Sequence, residues 1–401
     1  MPVSQFFSAE SGLIHTGTDR TAGQPATPPL VPASIYVSEG EPQRARAYGR
    51  DGNPGWEALE EALGGLEDAE AVVFASGQAA SMALMLTLAQ GRNRIVLPAD
   101  GYYGTRVLAD KLRPHGAVAV QADLQDLAAV ASELKAAPAV LWAETPTNPL
   151  LRVADLAGLA ETAAAAGAPM IVDNTTATSL LQRPLDWGAA ASLYSLTKAA
   201  SGHSDVIAGA VVSRDAELLA GLRSWRSSGG GILGPFESWL ALRGLKTLPL
   251  RIARQSDSAG KIARHLAGHP HVRAVHYPGL NPAAAATVGR QMPQGCGPLL
   301  SFELNSARAA DQVVSSSRLI LPATSFGGVE STWERRARWA GETAPDGLIR
   351  LSVGVEPAGD LITDIDQALD TLGVVLCPST SVTTRSTTTR PASTWRRRSR
   401  S

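Results

Sequence analysis

From about residue 56 to residue 248 the apolar positions follow two alternating rhythms. Short, nearly unbroken apolar runs at 71–74, 94–97, 139–142, 169–173 and 189–193 predict strands buried on both faces. Between them, at 57–63, 79–89, 124–135 and 155–166, apolar residues recur with helical spacing. Strands separated by helical crossovers predict an α/β fold with a mostly parallel central sheet. The rhythm then changes. A helical stretch over 251–267 leads into strand candidates at 271–276, 299–303, 319–321 and 348–352, closed by a helix at 361–372. This second region reads as a smaller C-terminal α+β domain.

The two ends carry different patterns. Residues 1–55 are rich in Pro, Gly, Ser and Thr, as in Gln24-Pro25-Ala26-Thr27-Pro28-Pro29, and read as an extended arm. Residues 377–401 contain no acidic residue and are dominated by Ser, Thr and Arg. They read as a disordered basic appendage rather than a nucleic-acid or membrane tether. The expected organisation is thus an arm at 1–55, a first domain at 56–248, a second at 249–376 and a tail at 377–401.

Composition narrows the classes. The chain has 401 residues, 44% hydrophobic and 18% charged, with a formal net charge of −1. That suits a large globular core and gives no global pull toward nucleic acid or an anionic membrane. The cysteines, Cys296 and Cys377, lie far apart and suggest neither a disulfide framework nor a metal site. No signal peptide or membrane-spanning run is visible, so a cytoplasmic enzyme is expected.

The candidate chemistry lies where the apolar runs end. Pro169-Met170-Ile171-Val172-Asp173 delivers an acid at its C-terminal end, and the next run leads into Ser195-Leu196-Thr197-Lys198. Strand, acid, strand, lysine is the layout that a pyridoxal phosphate site needs. The lysine bonds the cofactor's aldehyde carbon, and the acid keeps the pyridine nitrogen protonated. Val72-Val73-Phe74-Ala75-Ser76-Gly77-Gln78 offers a phosphate seat: a strand, a small turn and a helix start with free N–H groups. Gly229-Gly230-Gly231-Ile232-Leu233-Gly234 matches a dinucleotide fingerprint formally, but no strand with an acidic ribose partner frames it.

In order and spacing these motifs, with Tyr48-Gly49-Arg50, Tyr102-Tyr103-Gly104-Thr105, Glu144-Thr145-Pro146-Thr147-Asn148-Pro149, Ser325-Phe326-Gly327-Gly328 and Arg350-Leu351-Ser352, resemble the Cys/Met metabolism family of pyridoxal phosphate enzymes. This is the group that makes and cleaves cystathionine. The resemblance implies the fold-type I pyridoxal phosphate-dependent transferase fold and a homotetramer of dimers with shared active sites. It also implies residue roles. Lys198 would bond the cofactor and move protons along the substrate. Tyr102 would stack on the cofactor ring and exchange a proton with the leaving group. Asp173 would face the pyridine nitrogen, and Asn148 the phenolic oxygen. Ser76, Gly77, Gln78, Ser195 and Thr197 would hold the phosphate, joined by Tyr48 and Arg50 of a neighbouring subunit. Arg350, with Ser325 and Asn148, would hold the substrate's α-carboxylate end.

The resemblance implies cystathionine γ-lyase activity first, and γ-replacement, as in cystathionine γ-synthase or O-acylhomoserine sulfhydrylase, second. A non-catalytic protein on the same fold is a third reading, disfavoured by the presence of Lys198 and its partners. Gly104 stands where methionine γ-lyases carry a cysteine, which disfavours that activity. One segment departs from the usual family pattern. Thr332-Trp333-Glu334-Arg335-Arg336-Ala337-Arg338-Trp339 is short and basic. Its arginines either meet a second substrate carboxylate or form a solvated helical face, the latter expected for at least two of Arg335, Arg336 and Arg338.

Overall fold

The computed structural model of the protein describes residues 8–37 and 46–373. The expected appendage at 377–401 lies outside the described residues. The larger sheet has seven strands: β1 (Glu70–Phe74), β2 (Arg94–Pro98), β3 (Val118–Ala122), β4 (Ala139–Glu144), β5 (Met170–Asp173), β6 (Ala191–Ser195) and β7 (Gly209–Ser213). Their spatial order is β1-β7-β6-β5-β4-β2-β3. The run from β3 to β6 is parallel, and β7 is antiparallel to both of its neighbours. The mostly parallel α/β expectation therefore holds.

Alternation along each strand sends neighbouring side chains to opposite layers. On β5, Ile171 joins the layer built with helices Gly77–Leu88 and Ala216–Gly229, whereas Met170 and Val172 join the layer with helices Leu127–Lys135 and Leu156–Ala165. Trp142, 1% exposed on β4, packs in the first layer. Burial of such a side chain stabilises the fold by roughly 1.5–3 kcal/mol. With both faces covered, the free space is left at the C-terminal ends of the parallel strands, where ligands of open α/β sheets sit.

The second sheet is antiparallel, in the order β10-β11-β9-β8: β8 (Ala274–His276), β9 (Leu299–Glu303), β10 (Thr332–Arg335) and β11 (Leu348–Ser352). Its apolar face packs on helices Leu248–Ala267, Ala307–Ser316 and Ala358–Asp370.

Several expectations need correction. β3 and β7 are strands that the apolar pattern did not announce. β3 is an edge strand with only Ala122 buried, and β7 is a small-residue run. Residues 319–321 form no strand; Leu321 makes only an isolated bridge to Thr332. The basic segment is not an α-helix: it is the strand β10 followed by a three-residue 3-10 helix, Arg336–Arg338. The N-terminal arm is not wholly extended either. Its first described element is the helix Ala9–His15, whose Leu13 is buried in the core.

Candidate active site

Three strand ends form the floor of a cavity of about 400 Å³. Glu144 and Asp173 are register partners at the ends of β4 and β5, and Ser195 ends β6. The chain then turns through Lys198 to Gly202, which has φ +73°. Arg251, buried, ties this turn down by donating to the carbonyls of Ala199 (2.6 Å), Ala200 (3.1 Å) and Gly244 (2.8 Å). A Cβ on Gly202 would lie 2.0 Å from the Arg251 guanidinium, so a glycine is needed for that approach.

The expected phosphate seat lies at the start of the helix Gly77–Leu88. Ser76 caps it, its Oγ accepting from the Ala79 N–H at 3.0 Å. No described hydrogen bond uses the Gly77 or Gln78 N–H, and both residues face the cavity. A Cβ on Gly77 would come within 3.0 Å of Ser195 Cβ. The helix start and the end of β6 are thus close enough to aim N–H and hydroxyl groups at one anion. Thr197 also lines the cavity, but its Oγ1 is engaged with the Ala208 backbone, donating to O (3.2 Å) and accepting from N (3.1 Å).

Lys198 Nζ donates to Ser325 Oγ at 2.8 Å and lies 5.4 Å from the Phe326 ring centroid. Burial, then the charges of Arg350 and Arg336, lower its ammonium to about 8. Burial pushes the Asp173 carboxyl up, opposed by hydrogen bonding from Thr175 and by the charge of Lys198. A protonated ring nitrogen beside it would hold it ionised. Burial, and next the charge of Asp173, push Glu144 well up, and its oxygens accept from the N–H groups of Tyr102 (2.7 Å) and Asn148 (2.8 Å). Tyr102, 36% exposed, meets Tyr103 edge-on at 5.2 Å, and burial raises its phenol. An open anion seat, an amine of lowered pKa and a buried carboxylate beside an aromatic wall fit pyridoxal phosphate.

Arg350, on β11, reaches the cavity from the smaller sheet. It donates to Asn148 Oδ1 (2.9 Å), the Ser325 carbonyl (3.0 Å) and Glu334 Oε1 (2.7 Å). Glu334 on β10 is fully buried and also accepts from Arg336, Arg338 and Trp339. Burial pushes its carboxyl up, but Arg350, Trp339 and Arg336 outweigh this and hold it below the usual range.

The arginines of the basic segment therefore differ from a solvated helical face. Arg336 is buried and lines the cavity with Trp339. Arg338 pairs with Glu334. Only Arg335 points elsewhere, pairing with Asp311 at 2.7 Å on the helix Ala307–Ser316.

The cavity brings together Ser76, Gly77, Gln78, Tyr102, Asn148, Asp173, Ser195, Thr197, Lys198, Ser325 and Arg350. Tyr48 and Arg50 are not among its lining residues. Both are exposed, with the Arg50 guanidinium 5.5 Å from the Tyr48 ring centroid. Glu144 and Glu334 were not expected in the site. Glu144 carries the same signal as Asp173, an acid closing an apolar run, whereas Glu334 is hidden among basic neighbours.

A profile of the Cys/Met metabolism PLP-dependent enzymes matches residues 10–370. A Streptomyces coelicolor protein with a provisional cystathionine γ-lyase name is 43% identical over 352 residues, covering 86% of this chain and 89% of the relative. The cystathionine γ-synthase of Mycobacterium tuberculosis is 40% identical over 332 residues, covering 80% and 86% respectively. Among solved structures, cystathionine γ-synthase from Xanthomonas oryzae in complex with cystathionine superposes with a TM-score of 0.87 at 38% identity, covering 91% of this chain and 98% of that one. The chain belongs to the Cys/Met metabolism family of pyridoxal phosphate-dependent enzymes.

Proposed function

We propose that the protein is a cystathionine γ-lyase, converting cystathionine and water to cysteine, 2-oxobutyrate and ammonia. The observation that carries this reading is Lys198, its amine lowered to about 8 and held between Ser325 and the Asp173 side of the cavity. Pyridoxal phosphate, when bound, supplies an electron sink that makes the protons at Cα and Cβ of an amino acid removable. The Gly77 and Gln78 N–H groups, with the hydroxyls of Ser76 and Ser195, would hold its phosphate, and Thr197 would join them only by giving up its bond to the Ala208 carbonyl. Asp173 would face the ring nitrogen, and Asn148 the phenolic oxygen. Arg350 takes the substrate's α-carboxylate, with Ser325 and Asn148 fixing the guanidinium plane. Lys198 Nζ, held by Ser325 Oγ, would move protons on the substrate, and Tyr102 would protonate the departing sulfur.

The provisional γ-lyase name of the Streptomyces relative supports elimination over replacement. γ-Replacement is the second reading, favoured by similarity to the γ-synthases. Incubation with cystathionine alone decides between them. Release of 2-oxobutyrate with ammonia supports the lyase. Turnover only when an O-acylhomoserine and a thiol are both supplied supports replacement. Tyr48 and Arg50, exposed and away from their own cavity, reach the phosphate of a neighbouring copy in this reading, within a homotetramer. The enzyme works in the cytoplasm; among the described residues no helix is long and apolar enough to cross a membrane.

A further inference from the structure

We infer that Arg336 is a specificity residue that recognises a carboxylate on the departing γ-substituent of the substrate. The inference rests on the γ-carbon chemistry proposed above and extends it to the far end of the substrate.

Two guanidiniums line the cavity, Arg350 and Arg336. Arg350 is fixed by Asn148 and Ser325, beside Lys198, and is the natural partner of the α-carboxylate. Arg336 stands on the 3-10 turn after β10, in the same wall as Trp339. It is 3% exposed, so its charge was not placed there to meet solvent.

A guanidinium has five N–H donors. Arg336 uses one on Glu334 Oε1 (Nη1, 2.6 Å) and two on Glu342 Oε2 (Nε, 3.2 Å; Nη2, 2.7 Å). One N–H on each Nη is therefore left without a described partner. Both can donate to the oxygens of a carboxylate. The charges agree. Arg336, Arg338 and Arg350 share Glu334 and Glu342, three cations with two anions. Arg336 also helps to lower the Lys198 ammonium, so its charge reaches the reacting end of the cavity. Trp339 Nε1 is spent on Glu334 at 2.8 Å, which leaves its ring as an apolar wall for the chain that joins the two ends of the substrate.

The shared chemistry is a γ-substituent ending in a carboxylate, and it has two sources. One is an amino-acid thioether such as cystathionine, and the other is a homoserine ester of a dicarboxylic acid. The test measures binding by calorimetry in the Lys198→Ala protein loaded with cofactor, so that turnover does not interfere. Cystathionine is compared with an S-alkyl homocysteine of equal length, and O-succinylhomoserine with O-acetylhomoserine. The expected result is a preference for the carboxylate-ended member of at least one pair, and the pair that shows it names the source. Adding Arg336→Gln should cut that preference roughly ten- to a hundredfold. Arg336→Lys should cut it less, because a point charge replaces a fork but still faces Glu334 and Glu342. Glu342→Gln, which frees donors on Arg336, should raise it.

The assignment is overturned if neither pair shows a preference, or if Arg336→Gln weakens both members of a pair alike. A preference that falls in Glu342→Gln overturns it as well, and this arm stands even where Arg336→Gln does not fold. Failure of the γ-carbon reading is separate and visible in the unaltered enzyme, which would then bind these ligands but neither release 2-oxobutyrate from any nor exchange their γ-substituent for an added thiol.

Discussion

Lys198, just after β6 of the larger sheet, and Ser325, just before β10 of the smaller one, meet at 2.8 Å, Nζ to Oγ. Ser325 sits at φ +83°, a conformation that the surrounding chain must hold against its side chain. The lysine amine is thus parked on the second sheet's side of the cavity, with Arg350 gripping the same serine's carbonyl.

The lowered Lys198 ammonium gives a pH prediction for the cofactor-free protein. The neutral amine is the nucleophile, so the rate of covalent capture of pyridoxal phosphate should rise with pH through about 8. Arg336→Gln removes one of the charges that lower the amine and should move the midpoint up. The visible band of the captured cofactor reports both. Lys198→Ala should show no capture and essentially no turnover. Borohydride fixation to another lysine would displace the assignment.

Gly104 lies under the Tyr102 ring. A Cβ there would stand 2.4 Å from Tyr102 Cε1 and 2.7 Å from Gln78 Nε2. Gly104→Ala should therefore push Tyr102 out of place and lower kcat by about tenfold to a hundredfold, the scale of a misplaced catalytic group. Tyr102→Phe alone and in combination checks the route. If Tyr102 carries the effect, adding Gly104→Ala to Tyr102→Phe should cost much less than it does in the unaltered enzyme.

Glu67 offers a stability test away from the cavity. It is fully buried, accepts from Ser192 Oγ at 2.9 Å and from the Tyr194 hydroxyl, and burial raises its carboxyl to about 7. The folded state therefore holds the proton more tightly than the unfolded chain. The resulting stabilisation is complete below the unfolded value near 4.5 and is lost as pH rises through about 7. Glu67→Gln should flatten this slope, a difference of roughly 3 kcal/mol across the window. Denaturant melts at pH 5 and pH 8 would show it, and an unchanged slope would refute the assignment.

The shared-site proposal makes a mixing prediction. Arg50→Ala and Lys198→Ala chains, each inactive alone, should regain activity when unfolded and refolded together. Hybrid dimers then contain one intact site. Full activity in a clean monomer fraction would rule out the sharing.

Much of this was legible in the residue order because it is local. The apolar runs that became β4, β5 and β6 end in Glu144, Asp173 and Ser195, and a parallel sheet must bring such ends to one edge. The helix start at Gly77 follows from Ser76 as its cap. β3 and β7 stayed hidden because an edge strand and a small-residue strand lack the continuous large apolar run of a central one.

Tertiary structure alone decided the far end of the cavity. In the sequence Glu334 is one acid among three arginines. Only the pairing of β10 with β11 sets it across from Arg350, and strand alternation then sends Trp333 into the core and Arg335 to Asp311. The turn that follows leaves Arg336 in the wall of the cavity. Local spacing specifies which residues a strand presents on each face. Which face meets the ligand depends on partners distant in the chain, and that is settled by packing.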